Sequence, residues 1–133
     1  MEHLMRFLLC LAIGLMGTAQ AADYPGRHMF TSHWINDTAS IEQSLRQTPW
    51  TERCELRRST SHTGFSLRAK VDEKGQLVDP KVVVFTIIGT STDDDLLACV
   101  LKQARALEPL SVEDGFTPGY EGAGDFTYQY FLP

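Results

Sequence analysis

Between Gly64 and Asp72 the chain alternates strictly: Phe65, Leu67, Ala69 and Val71 are apolar, while Ser66, Arg68, Lys70 and Asp72 are polar. A period of two is that of a strand with one buried face. Asp72 to Gly75 supplies a short connection with glycine where a positive φ is wanted, and Leu77 to Ile88 reads as the return strand of a hairpin. Pro80 cannot donate to a ladder, so it marks an edge position or a bulge. Beyond it, VVVFTII loses the alternation, as would a strand covered on both faces or one running past its partner.

In STDDDLLACVLKQARALEPL, from Ser91 to Leu110, the period changes. Leu96, Leu97, Val100, Leu101, Ala104 and Leu107 share one arc of a helical wheel, and Ala98, Lys102 and Arg105 face away. Thr92 is the expected N-cap. Asp93, Asp94 and Asp95 then fall in the first turn, where carboxylates complement free N–H groups and the positive end of the dipole, and Pro109 stops the helix. Upstream, Ile41 and Leu45 stand four apart behind Asp37 and Thr38, which predicts a short helix ending near Thr48. Thr48-Pro49 can open another helical turn with Trp50 and Cys54 on one face; a strand over CELRRSTS is the alternative.

Three segments remain. ADYPGRHMFTSHWIN, residues 22–36, has no sustained period and reads as an irregular arm whose Tyr24, Phe30 and Trp34 pack on the domain. Ser111 to Gly124 holds four glycines and a proline around Phe116 and Tyr120, a long loop for so small a domain. FTYQYFL closes the chain with Phe126, Tyr128, Tyr130 and Leu132 on one side, a last strand. The order helix, strand, strand, helix, strand over residues 37–133 is α+β, with a small antiparallel three-stranded sheet and helices packed on one face.

Composition adds a compartment. Residues 1–21 carry one basic residue near the start, the apolar run FLLCLAIGLMG and a small-x-small ending, the pattern of a secretory signal peptide cleaved after Ala21 or Ala22. The apolar run is about half the roughly 20 residues a membrane span needs. Cleavage removes one acidic and one basic residue, so the formal charge stays at −5. That balance argues against nucleic acid or an anionic membrane surface as partner. Of three cysteines only Cys54 and Cys99 survive cleavage, and in an oxidising compartment a Cys54–Cys99 disulfide is the default.

Little here points to catalysis. The DDD triplet enters a helix and lacks the spacing of a calcium loop. His28, His33 and His62 have no ligand partner at a tight spacing, so neither a metal nor any other cofactor is expected. No G-x-S-x-G, H-E-x-x-H or phosphate-loop pattern occurs, and the chain reads as a non-enzyme. Phe116 and Tyr120 in the loop, with Phe126, Tyr128 and Tyr130 of the last strand, either close over the core or form a partner-binding surface. In the second case the last strand leaves a free edge that a partner segment extends.

GFSLRAKVDEKGQLVDPKVVV, then DDDLLACVLKQARALEPL, then DFTYQYFLP resembles the periplasmic C-terminal domain shared by TonB and TolA, and within it the AgmX/PglI type. Cys54 matches the cysteine of the early helix, Gly64 the strand-opening glycine, Asp72 to Gly75 the turn, and Ala98-Cys99-Val100 the helical motif. The likeness spans residues 41–133. It implies a periplasmic module that captures a cell-envelope protein by strand addition. The chain departs from the family in lacking a retained membrane helix and a long spacer, and in its longer second strand and longer final loop. An exported inhibitor or immunity-type protein is the alternative expectation.

Overall fold

The computed structural model describes residues 22–119 and 124–133. The expected signal peptide and Tyr120 lie outside the described residues. In chain order the elements are β1 (Arg27–His33), α1 (Ala39–Gln47), α2 (Trp50–Arg53), a 3-10 turn (Arg58–Thr60), β2 (His62–Val71), β3 (Leu77–Thr86), β4 (Gly89–Thr90), α3 (Asp94–Arg105) and β5 (Gly124–Phe131). The class is α+β, and the antiparallel sheet has five strands, not three, in the order β1-β5-β2-β3-β4.

Two corrections account for the extra strands. The arm expected to be irregular contains β1, which pairs along its whole length with β5, from Arg27 opposite Phe131 to His33 opposite Asp125. Its inward positions are His28, Phe30 and Ser32, so only one is a strong apolar residue and the alternation is faint. His28 is tolerated there because both ring nitrogens are engaged, Nδ1 with the Tyr128 hydroxyl at 2.6 Å and Nε2 with the Tyr24 carbonyl at 2.7 Å. The second extra strand, β4, is two residues long and pairs with Phe85 and Thr86. The loss of alternation in VVVFTII therefore marks a strand running into a turn, with Ile87 and Ile88 at its exposed tip.

The core lies between one face of this sheet and the helices. Phe65, Leu67, Ala69 and Val71 of β2 adjoin Phe126, Tyr128 and Tyr130 of β5, and all seven are buried. Trp50 closes this layer from above, fully buried, with its ring 4.8 Å from Phe65 in edge-on contact and its Nε1 donating to the Leu45 carbonyl. Leu96, Val100 and Ala104 bring one side of α3 into the same core. Asp93, not Thr92, caps that helix: its carboxylate accepts from the N–H groups of Asp95 and Leu96, leaving Asp94 and Asp95 in the first turn. CELRRSTS starts at the C-cap of α2 and contains the 3-10 turn, with Cys54 and Leu56 buried, and does not join the sheet.

Gly64 permits the close approach of β2 to β5. A Cβ there would sit 2.1 Å from the Tyr130 carbonyl oxygen. Downstream, Arg68 pairs with Lys81 but Lys70 with Val78, so β3 carries an extra residue beside Pro80, and Asp79 takes a φ of 49°. This is a bulge on an outer strand, where proline is tolerated.

Cys54 and Cys99 form a disulfide that ties the end of α2 to the middle of α3. It closes a span of 45 residues that includes the β2–β3 hairpin. Replacing both cysteines with serine is expected to lower the unfolding free energy by about 4 kcal/mol through the added freedom of the unfolded chain. Urea unfolding of the double variant and of the native chain under oxidising conditions checks this; coincident midpoints would contradict it.

Candidate interaction surface

Strand β5 alternates buried and half-buried positions along its whole length, so its two faces have different fates. Phe126, Tyr128 and Tyr130 point into the core and are fully buried, which removes them from any partner-contacting surface. Both edges of β5 are also taken, one by β1 and the other by β2. The free edge expected on the last strand is therefore absent. The physical reason is that an antiparallel strand gains ladder bonds on two sides at the sheet centre, and β1 supplies the second side.

Burial has electrostatic consequences for the two tyrosines. The Tyr130 hydroxyl donates to the Pro25 carbonyl at 2.5 Å, and Tyr128 meets His28 as described. Loss of hydration on burial pushes the Tyr130 phenol up to about 12 and Tyr128 further in the same direction. These hydroxyls anchor the segment that leads into β1. Tyr24 adds a third contact there through its hydroxyl and that of Thr51.

Phe116 lies elsewhere. It is half-buried and forms an isolated bridge to Ile35, just past the end of β1. Asn36 holds the same loop through its side-chain amide, which donates to the carbonyls of Asp114 and Phe116, and Thr117 N–H bonds the Trp34 carbonyl. The loop segment 111–119 is thus fastened beside the end of β1. Next to it stands Trp34, 42% exposed, and along β1 stands Met29, 50% exposed. Among the described residues, no strand pairs with the outer edge of β1.

The sheet face turned away from the helices is uncovered among the described residues. At one end Phe85 and Phe131 stack in parallel across Gly64, ring centroids 6.1 Å apart, and the Arg27 guanidinium lies 4.7 Å over the Phe131 ring. Toward the other end, Arg68, Lys70, Lys81, Asp79 and Asp125 line a depression of ≈ 300 Å³. Asp125 contacts the His33 ring at 3.0 Å. The three histidines stand apart: His28 in the sheet, His33 at the end of β1 and His62 at the start of β2 beside the Thr60 hydroxyl. Among the described residues no three His, Cys, Asp or Glu side chains gather as metal ligands would. The disulfide and Asp93 line a separate groove with Arg57, Thr60 and His62, in which the Thr60 hydroxyl lies 3.0 Å from His62 Nδ1.

Sequence reasoning missed Met29, Trp34 and the open-face residues. For Met29 and the open-face residues the signal was present, since they occupy strand positions out of phase with the buried set; Trp34 follows the end of β1 with a φ of 73° and lies outside that phase. What was missing was the pairing of β1 with β5, a non-local fact. The chain matches no known protein family, no curated protein and no solved structure.

The tyrosine shifts make a pH prediction. The folded phenols ionise above the unfolded value of about 10, so the unfolded chain loses protons first. Stability is therefore fully present below pH 10 and falls as pH rises toward about 12. Ultraviolet absorbance titration is expected to show two phenols ionising only with unfolding; ionisation of Tyr128 and Tyr130 near pH 10 in a folded chain would refute the burial argument.

Proposed function

We propose that this chain is an exported, periplasmic protein-binding module that engages a cell-envelope protein through the outer edge of β1 and the adjoining loop. The observation that carries the reading is that edge: seven residues long, without proline, unpaired among the described residues, and flanked by exposed Met29 and Trp34. Natural sheets blunt exposed edges with bulges, proline or inward charge. Strand β3 does so at Asp79-Pro80, and β1 does not. An unblunted edge next to an exposed tryptophan and methionine has the composition of an interface core, where aromatic residues and methionine are enriched. Partner capture would be strand addition, with main-chain bonds supplying affinity and the flanking side chains supplying selectivity.

Export is supported by the Cys54–Cys99 disulfide, which fits an oxidising compartment, and by the leader pattern of residues 1–21. No helix among the described residues is long and apolar enough to cross a membrane. The TonB/TolA resemblance agrees in the order strand, strand, helix, strand over β2, β3, α3 and β5, yet here the edge strand is β1. The binding edge accordingly moves from the last strand to the first.

A photo-crosslinking residue at Thr31, which is exposed on β1, is expected to trap one defined envelope protein in living cells. The double variant Met29→Lys, Trp34→Ala should reduce that adduct at least about tenfold, the loss expected of an interface hot spot. The same adduct from a cross-linker at Lys102 on α3, or no change in the double variant, would reject the β1 edge.

A further inference from the structure

The open sheet face sets one like-charge pair, Arg68 and Lys81, beside Lys70, whose cross-strand neighbour on β5 is Asp125. Arg68 on β2 stands directly opposite Lys81 on β3, and Lys70 follows on the same face two residues along. Among the described residues none of the three makes an ion pair, whereas Arg46, Arg57 and Arg105 in the helical layer all do. Like charges directly opposite in an antiparallel pair are destabilising. The bulge at Asp79 adds to the arrangement by displacing β3 by one residue between Lys81 and Val78, so that all three cations border the same depression. Asp79 and Asp125 also line it, leaving three cations against two carboxylates, and Asp125 is engaged by His33. In a chain of net charge −5 this is a local reversal of sign.

One step along the same face the character changes to apolar. Phe85 and Phe131 stack there, Val83 is 40% exposed, and Arg27 covers one edge of the stack. A cation cluster beside a half-buried aromatic pair is a two-part surface. We propose that the open face of the sheet docks an acidic polypeptide segment of the partner, its carboxylates against Arg68, Lys70 and Lys81 and an apolar side chain on the Phe85–Phe131 stack. This deepens the function proposed above and rests on it: a partner strand added to β1 would continue across β5 and β2 to β3. From the added strand to β3 is four strand spacings, about 19 Å, the reach of about six extended residues. Charge complementarity selects the acid, and the interspersed Asp79 and Asp125 together with the overall negative charge disfavour a continuous polyphosphate. Two isoleucines at the β3–β4 tip, Ile87 and Ile88, are more exposed still, but Asp93, Asp94 and Asp95 follow closely in the chain and nothing there selects an occupant.

The test uses the exported, disulfide-bonded chain and a fluorescent peptide with alternating Glu and Phe, against the same peptide with Gln or Lys in place of Glu. The Glu peptide is expected to bind at least about tenfold more tightly than the Gln peptide and to weaken as salt rises. Lys81→Glu should abolish that preference and raise the melting temperature by a few degrees, because it turns a like-charge pair into an opposite one. Lys102→Glu on α3 should leave the peptide preference unchanged. Equal binding of Glu and Gln peptides, a fall in melting temperature of Lys81→Glu, or an equal effect of Lys102→Glu on the peptide preference overturns the proposal. So does tighter binding of a single-stranded oligonucleotide or of anionic phospholipid vesicles. In cells, the Thr31 adduct separates the two readings: if Arg68→Gln with Lys81→Gln leaves it intact, the β1 edge stands and the acidic segment falls. If no adduct forms with the native chain, the edge reading falls, and the peptide comparison decides the open face alone.

Discussion

The sheet depends on one placement: β5, the last strand of the chain, lies between the first strand and the second. Its alternation of buried and half-buried residues is complete, and a slip of one residue would exchange its two faces. On the inner side, that slip would replace Phe126, Tyr128 and Tyr130 with Thr127, Gln129 and Phe131. The inner rings are in turn what the rest of the core is built around. Phe30 stacks on Phe126 at 5.8 Å, Phe65 lies 5.9 Å from both Tyr128 and Tyr130, and Trp50 closes over Phe65. Register and core are therefore one constraint. The tyrosine hydroxyls extend it to the start of β1 and the segment before it, since Tyr130 holds Pro25 and Tyr128 holds His28.

The helical layer is secured by different means. Four residues of α2 are too few to be stable alone, because helix nucleation costs more than so short a run returns. Trp50 at its start and Cys54 at its end provide the tertiary ties, one to the core and one to α3. Helix α3 has what α2 lacks: a capping carboxylate, acidic residues in its first turn, basic residues in its last, and a buried stripe. The disulfide thus joins an element that needs support to one that has its own. It also sits away from the open sheet face, so stapling and recognition do not compete for the same residues.

Local patterns were legible where one element's own residues contain the answer. The β2–β3 hairpin, the bulge at Pro80, the course of α3 and the inner side of β5 follow from periods of 2 and 3.6 and from proline's missing N–H. Three things did not follow. Strand β1 was hidden because His28 and Ser32 occupy inward positions, and a buried histidine looks acceptable only once Tyr24 and Tyr128 are known to meet it. The free edge was assigned to β5 because strand order is a matter of distant pairing. The aromatic residues of β5 were candidates for binding on composition alone, and their burial depends on Trp50 and Phe65 arriving from elsewhere. Among the described residues, Phe116 of the candidate set lies at the loop beside Ile35.

The two faces of the sheet obey opposite logic, and that contrast is the strongest structural reason to look for a partner on the outer one. On the inner face of β2 and β5 the local choices agree with the fold: alternation, ring packing, and hydrogen bonds for buried hydroxyls, with no buried side-chain polar atom left unsatisfied among the described residues. The outer face contains choices the fold does not need. Opposing Arg68 to Lys81 weakens the hairpin that the alternation builds, and leaving Met29 and Val83 in solvent gains no burial. Gly64 links the two faces. It must be glycine because β5 comes too close for a Cβ, and the same absence of a side chain opens the space across which Phe85 and Phe131 stack. A residue demanded by the interior therefore shapes the exterior. Conflicts between local choice and global stability concentrate where a molecule does something besides fold, and here they concentrate on one face and one edge.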